Sequence, residues 1–225
     1  MSDAQAMTAY PTFIAGLCRL VVQSIARMKV EGLEDLPRTG PVIIAANHMS
    51  NADPPIIGGW LGPALDRRPT FLAKEALFHG PMGFFVRSLG AQPVKVGGND
   101  IAAYRTAKGI LDRRGVLAIL PEGTRSFDGV MSEPKPGVSL LATRTGTPVI
   151  PVGISGTDAL IAREQSFPNI GARVILRVGR PFHLGIAKGA DRREALAAAD
   201  VELMRRIAAL VEPRHRGRWE PWPAE

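Results

Sequence analysis

Short apolar runs bounded by glycine, proline and polar residues recur along this chain and alternate with segments of helical period. Residues 41–46, 69–73, 91–96, 116–120, 148–153 and 172–178 carry β-branched side chains with turn signals at their ends, which predicts six strands. Between them, residues 54–61, 82–89, 100–114 and 137–145 predict helices; the clearest is 100–114, where Ile101, Tyr104, Ala107 or Lys108, and Leu111 share a face. A last helix over residues 191–211 starts at a cap-forming Asp191, stops before Pro213, and has Leu196, Leu203, Ile207 and Leu210 as its apolar stripe. Strands and helices in alternation imply an α/β fold, a single mostly parallel or mixed sheet flanked by helices.

Ahead of these elements lies an N-terminal amphipathic helix. Over residues 12–29, Phe13, Leu17, Leu20, Val21, Ile25 and Met28 fall on one helical face, while Arg19, Gln23 and Arg27 recur every four residues on another. A basic amphipathic helix of this kind can lie in a bilayer interface or pack its stripe on its own domain. Residues 4–18 are uncharged but contain Gln5, Thr8, Pro11 and Thr12 and run into Arg19, short of the roughly eighteen apolar residues that a spanning helix needs. Asp3 is the only charge before the apolar stretch, so a secretory signal with a basic start is not expected.

With 225 residues, 45% hydrophobic and 22% charged, the chain has ordinary globular usage and can bury one substantial core. A single cysteine excludes an intramolecular disulfide framework and suits a reducing compartment. The net charge of +7 attracts anionic lipid, acidic carrier proteins, coenzyme phosphates and nucleic acid alike. No nucleic-acid-binding module is recognisable, and the cations are scattered, so no nucleic acid partner is expected. His79, His183 and His215 have no carboxylate or cysteine at ligand spacing, and no metal site is visible. The tail from Arg214 to Trp222 mixes cations with tryptophans, a pattern that suits a lipid interface or a disordered end.

Two segments carry the candidate chemistry. In Asn47-His48-Met49-Ser50-Asn51-Ala52-Asp53-Pro54, a neutral imidazole can take a proton from an alcohol near neutral pH, and a carboxylate on its far nitrogen fixes the tautomer and stabilises the imidazolium. The spacing alone is weak, since an accidental H-x4-D arises in roughly one such chain in five. Asp53 before Pro54-Pro55 also reads as a helix N-cap. The second segment, Pro121-Glu122-Gly123-Thr124-Arg125-Ser126, follows an apolar strand at the sheet end where α/β proteins bind ligands. There Gly123 permits close backbone approach, and the planar fork of Arg125 matches phosphate oxygens.

Together these residues resemble the glycerolipid acyltransferases, the family typified by 1-acylglycerol-3-phosphate acyltransferase. The resemblance rests on N-H-x4-D at Asn47, His48 and Asp53, on P-E-G-T-R-S at Pro121 to Ser126, and on Val149-Ile150-Pro151-Val152. Phe71-Leu72-Ala73-Lys74-Glu75 and Lys135-Pro136-Gly137 add a lysine-bearing strand end and a K-x-G turn, so the likeness spans about half the chain. It implies His48 as general base and Asp53 as its orienting partner, Glu122 positioning the glycerol portion, and Gly123, Thr124 and Arg125 holding the phosphate, with Lys74 adding a charge. The implied reaction moves an acyl chain from acyl-CoA or acyl carrier protein to the sn-2 hydroxyl of a lysophospholipid acceptor, 1-acylglycerol-3-phosphate, giving phosphatidic acid without a cofactor or an acyl-enzyme. It also implies residues 1–30 as a membrane-docking segment, 31–212 as the acyltransferase domain, and 213–225 as a basic tail. The protein is then cytoplasmic, peripheral to the inner face of the cell membrane.

One block departs from the family pattern. Gly90-Ala91-Gln92-Pro93-Val94-Lys95-Val96 places Val96 where the family commonly has arginine, and the Lys95 ammonium cannot reproduce a bidentate contact. Acyl transfer to glycerol-3-phosphate or another lysolipid, and a non-catalytic lipid- or nucleic-acid-binding α/β protein, stand as alternatives.

Overall fold

The computed structural model describes residues 7–95, 100–165, 167–186 and 191–223. In chain order the elements are α1 (Ala9–Ile25), β1 (Ala26–Glu31), β2 (Val42–Ala46), α2 (Asp53–Leu65), β3 (Thr70–Lys74), α3 (Gly80–Ser88), β4 (Ala91–Val94), α4 (Asp100–Asp112), β5 (Val116–Ile119), α5 (Val138–Thr145), β6 (Val149–Ser155), α6 (Thr157–Leu160), β7 (Ala172–Val178) and α7 (Arg192–Ala208). Short 3-10 helices follow β3 at Glu75–Phe78 and α7 at Pro213–His215.

All seven strands form one mixed sheet in the order β1-β7-β6-β2-β5-β3-β4. Every neighbouring pair is parallel except β6 with β7. At the middle lies β2, an uninterrupted apolar run buried on both faces, as parallel strands between helical layers must be. Val42, Ile44 and Ala46 pack with α1 and α2, whereas Ile43 and Ala45 pack with α4, α5 and α7. The chain therefore leaves the end of β2 at Asn47 with its backbone anchored on both sides.

The N-terminal helix starts and ends earlier than its periodicity predicts. It ends at Ile25, and Ala26–Glu31 becomes an edge strand parallel to β7. Arg27, Lys29 and Glu31 alternate with Met28 and Val30, a period of two that the four-residue recurrence of Arg19, Gln23 and Arg27 conceals. Charged side chains along an edge strand also discourage pairing with other chains. The buried face of α1 is made of Ala15, Cys18 and Val22, set against α2, where the Arg19 guanidinium donates to the Gly59 carbonyl at 2.6 Å. The larger stripe faces outward, with Phe13 65% and Leu20 66% exposed beside Leu17 and Val21. No helix among the described residues is long and apolar enough to cross a membrane.

The tail packs onto the domain, unlike either expectation for it. Trp219 is buried and donates from Nε1 to the Ser132 carbonyl at 3.3 Å, and Arg205 and Arg206 lie over the Trp222 ring. Asp191 caps α7 as expected, its carboxylate accepting from the Arg193 and Glu194 amides.

Where α7 ends it closes tightly on the sheet. A Cβ on Gly153 of β6 would stand 2.5 Å from the Leu210 carbonyl carbon, whereas one on Gly58 of α2 would meet no atom within 4 Å. Gly153→Ala is expected to lower unfolding free energy by about 1–3 kcal/mol. Gly58→Ala is expected to raise it by about 0.5–1 kcal/mol through helix propensity. Chemical denaturation of the two variants checks both signs.

Candidate active site

The turn after β2 is organised by one carboxylate. Asp53 is fully buried at the start of α2, and its Oδ2 accepts from the Met49 amide at 2.7 Å, the Ser50 amide at 2.8 Å and His48 Nδ1 at 2.8 Å. Its Oδ1 accepts from the Thr157 hydroxyl at 2.7 Å. An ionised carboxylate only accepts, so the neutral His48 ring carries its proton on Nδ1 and presents Nε2 as a bare base. No described residue bonds Nε2, and the side chain is 15% exposed. Asp53 thus makes both expected contacts, with the imidazole and with amides near the helix start, although the N-cap position itself falls on Ala52.

Asn47 fixes the other flank. Its amide donates to the Ile154 carbonyl at 2.9 Å and its side-chain oxygen accepts from the Ile154 amide at 2.8 Å, extending the β2–β6 ladder through a side chain.

The second segment wraps the His48 peptide. The His48 amide donates to Glu122 Oε1 at 2.8 Å, and the His48 carbonyl accepts from the Ser126 amide at 2.8 Å. Glu122 Oε2 takes the Ser132 amide and hydroxyl, each at 2.8 Å. The carboxylate expected to position glycerol is buried, and both its oxygens accept from protein groups, one of them the His48 amide. Gly123 turns with φ +65° and leaves room for the Lys135 side chain, whose Cδ would lie 2.7 Å from a Cβ there. Arg125 is half-buried and donates from Nη1 to the Arg163 carbonyl at 3.0 Å. Thr124 sits half-buried between them. Lys74 is exposed at the C-terminal end of β3, the same end of the parallel strands. Val96 lies outside the described residues, and Lys95 is exposed.

Sequence reasoning missed Thr157, Ser132 and Arg163. A hydroxyl 104 residues from Asp53 carries no local signal, and Ser132 became visible only once the loop after Ser126 was seen to fold back. That loop closes through Asp128-Gly129, with Ser126 Oγ and Asp128 Oδ1 accepting from the Val130 amide. The tail braces it, since the Met131 amide donates to the His215 carbonyl at 2.8 Å.

A sequence model of the family described as Acyltransferase matches residues 27–155, more than half of the chain. This chain belongs to the acyltransferase family. The matched segment contains His48, Asp53, Lys74 and the 121–126 block. Over 178 residues the chain is 29% identical to chloroplastic 1-acyl-sn-glycerol-3-phosphate acyltransferase of Arabidopsis thaliana, covering 76% of this chain and 48% of that one. It is 25% identical over 199 residues to 1-acyl-sn-glycerol-3-phosphate acyltransferase of Bacillus subtilis, covering 88% and 95%. It thus spans about half the length of the chloroplast relative and nearly all of the bacterial one. The crystal structure of the 1-acyl-sn-glycerophosphate acyltransferase from Thermotoga maritima superposes with a TM-score of 0.70 at 28% identity, covering 88% of this acyltransferase and 78% of that chain.

Burial pushes the Glu122 carboxyl above the ordinary glutamate range, against the opposing pull of the Ser132 and His48 hydrogen bonds. Within the window between the ordinary and the raised value, the folded state holds a proton the unfolded chain has lost. Stability therefore falls as pH rises through that window, and the penalty persists above it. The stability of the wild type relative to Glu122→Gln is expected to improve as pH is lowered into the window. Denaturation curves at stepped pH check this; a difference that is flat with pH, or of opposite slope, contradicts it.

Proposed function

We propose that this acyltransferase moves an acyl chain from an acyl thioester, coenzyme A or acyl carrier protein, to the free sn-2 hydroxyl of 1-acylglycerol-3-phosphate, forming phosphatidic acid. The observation that carries the reading is the His48–Asp53 pair, with Nδ1 spent on a buried carboxylate and Nε2 left open beside the loop that bears Arg125. The names of the Arabidopsis, Bacillus and Thermotoga relatives support the acceptor.

His48 Nε2 takes the hydroxyl proton as the alkoxide oxygen bonds to the thioester carbonyl carbon. The imidazolium is stabilised by Asp53, which is already aligned and needs no reorganisation. Collapse of the tetrahedral oxyanion breaks the C–S bond, and the thiolate recovers the proton from His48. Arg125 and the neighbouring cations hold the phosphate that orients the glycerol hydroxyl toward the base. With long-chain thioester and 1-acylglycerol-3-phosphate, His48→Ala is expected to lower kcat by about 10²- to 10⁴-fold while folding is retained. Unchanged turnover in that variant overturns the mechanism, and transfer confined to glycerol-3-phosphate or 1-acylglycerophosphocholine reassigns the acceptor.

The outward stripe of α1 supports peripheral docking on the inner face of the cell membrane, since a soluble helix ordinarily turns its large apolar residues inward. Exposed Met82, Phe84 and Phe85 on α3 add apolar surface, and the net charge of +7 favours anionic lipid. Phe13→Asp with Leu20→Asp is expected to weaken sedimentation with phosphatidylglycerol vesicles by at least about tenfold, given the transfer free energy of two such side chains. The melting temperature is expected to stay unchanged, because both side chains face outward. Equal vesicle binding by the double variant contradicts the docking role of α1.

A further inference from the structure

Two arginines on separate loops, Arg125 and Arg163, each donate to the other's backbone. Arg125 donates from Nη1 to the Arg163 carbonyl at 3.0 Å, and Arg163 donates from Nη1 to the Arg125 carbonyl, so each side chain is aligned by the other's backbone. The Arg163 guanidinium also lies over the Phe127 ring at 3.6 Å from its centroid, a contact that fixes the plane of the fork and removes part of its hydration. Both arginines are half-buried, and among the described residues no carboxylate lies within 4.0 Å of either. Two partly desolvated cations on adjoining loops without a counter-charge favour an anion that reaches both. The remaining N–H groups of both forks are without protein partners among the described residues and are free to bond one.

The location is set by the catalytic turn itself. Ser126, next to Arg125, donates its amide to the His48 carbonyl at 2.8 Å, and the Ser50 hydroxyl donates at 2.8 Å to the carbonyl of Ile161, two residues before Arg163. A phosphate monoester carries about −1.5 to −2 charges at neutral pH, more than one arginine neutralises. Arg163 lies beyond residues 27–155, the segment that the family model matches.

We propose that Arg163 is a substrate-binding residue, the second guanidinium that, with Arg125, clamps the phosphate of the acceptor. This rests on the acyltransferase reading above and adds a residue that the reading does not require.

The test compares wild type, Arg163→Ala and Arg163→Lys as full-length protein, with 1-acylglycerol-3-phosphate and with 1-monoacylglycerol, which lacks the phosphate. Arg163→Ala is expected to raise KM for the phosphorylated acceptor by about 10- to 100-fold, the range for losing charge-assisted hydrogen bonds. It should leave kcat within a few fold, KM for the thioester unchanged and transfer to monoacylglycerol at the wild-type rate. Arg163→Lys should recover part of the affinity. Titration with glycerol 3-phosphate, followed by calorimetry, reads the same site without turnover. Binding that weakens in Arg163→Ala supports the clamp even if wild type transfers no acyl chain, an outcome that would sink the reaction reading alone. A KM and a glycerol 3-phosphate affinity within twofold of wild type, or equal losses with both acceptors, overturn the proposal.

Discussion

The Asp53 carboxylate is the point on which the site depends. Taking an ionised carboxylate wholly out of water is strongly unfavourable unless its lone pairs are filled, and here four donors fill them: two amides of the preceding turn, one hydroxyl from α6 and one imidazole N–H. The same contacts set the path of the chain between β2 and α2, the tautomer of His48 and the distance of α6 from the turn. Catalytic geometry and local folding are therefore one arrangement. Truncation of the side chain would leave the Met49 and Ser50 amides and the Thr157 hydroxyl without their acceptor inside the protein.

Around this centre the backbone of His48 is held from the far side by the 121–126 block. Glu122 receives its amide and Ser126 supplies an amide to its carbonyl, so the turn of His48 and the 121–126 loop are tied together. Glu122 in turn takes both donors of Ser132, and the packed tail steadies that loop through His215 and Trp219. The chain's last segment thus reaches the active site through two layers of contacts.

Most of the fold was legible. Six strands and five of the helices follow from apolar runs and turn signals, because parallel strands buried on both faces are continuous hydrophobic stretches that little else imitates. β1 was not read, since Ala26–Glu31 fits a helical and an alternating pattern about equally, and only pairing with β7 decides between them. The His48–Asp53 pair was legible because both partners sit in one turn. The contacts of Glu122 were not, because two of its three donors are backbone amides, which any sequence supplies, and the third is a hydroxyl ten residues on. Thr157 reaches Asp53, and Arg163 reaches Arg125, from beyond β6, and nothing local in the sequence marks side chains that become neighbours only through the fold.

The central claim, that Asp53 sets His48 as a base with a bare Nε2, is tested most directly by nitrogen-15 NMR of the histidine rings in the wild type and Asp53→Asn. The account predicts that the neutral His48 ring of the wild type carries its proton on Nδ1, hydrogen-bonded, with Nε2 unprotonated, and that the asparagine variant loses this fixed tautomer. A wild-type ring with its proton on Nε2, or a tautomer unaffected by Asp53→Asn, would contradict it.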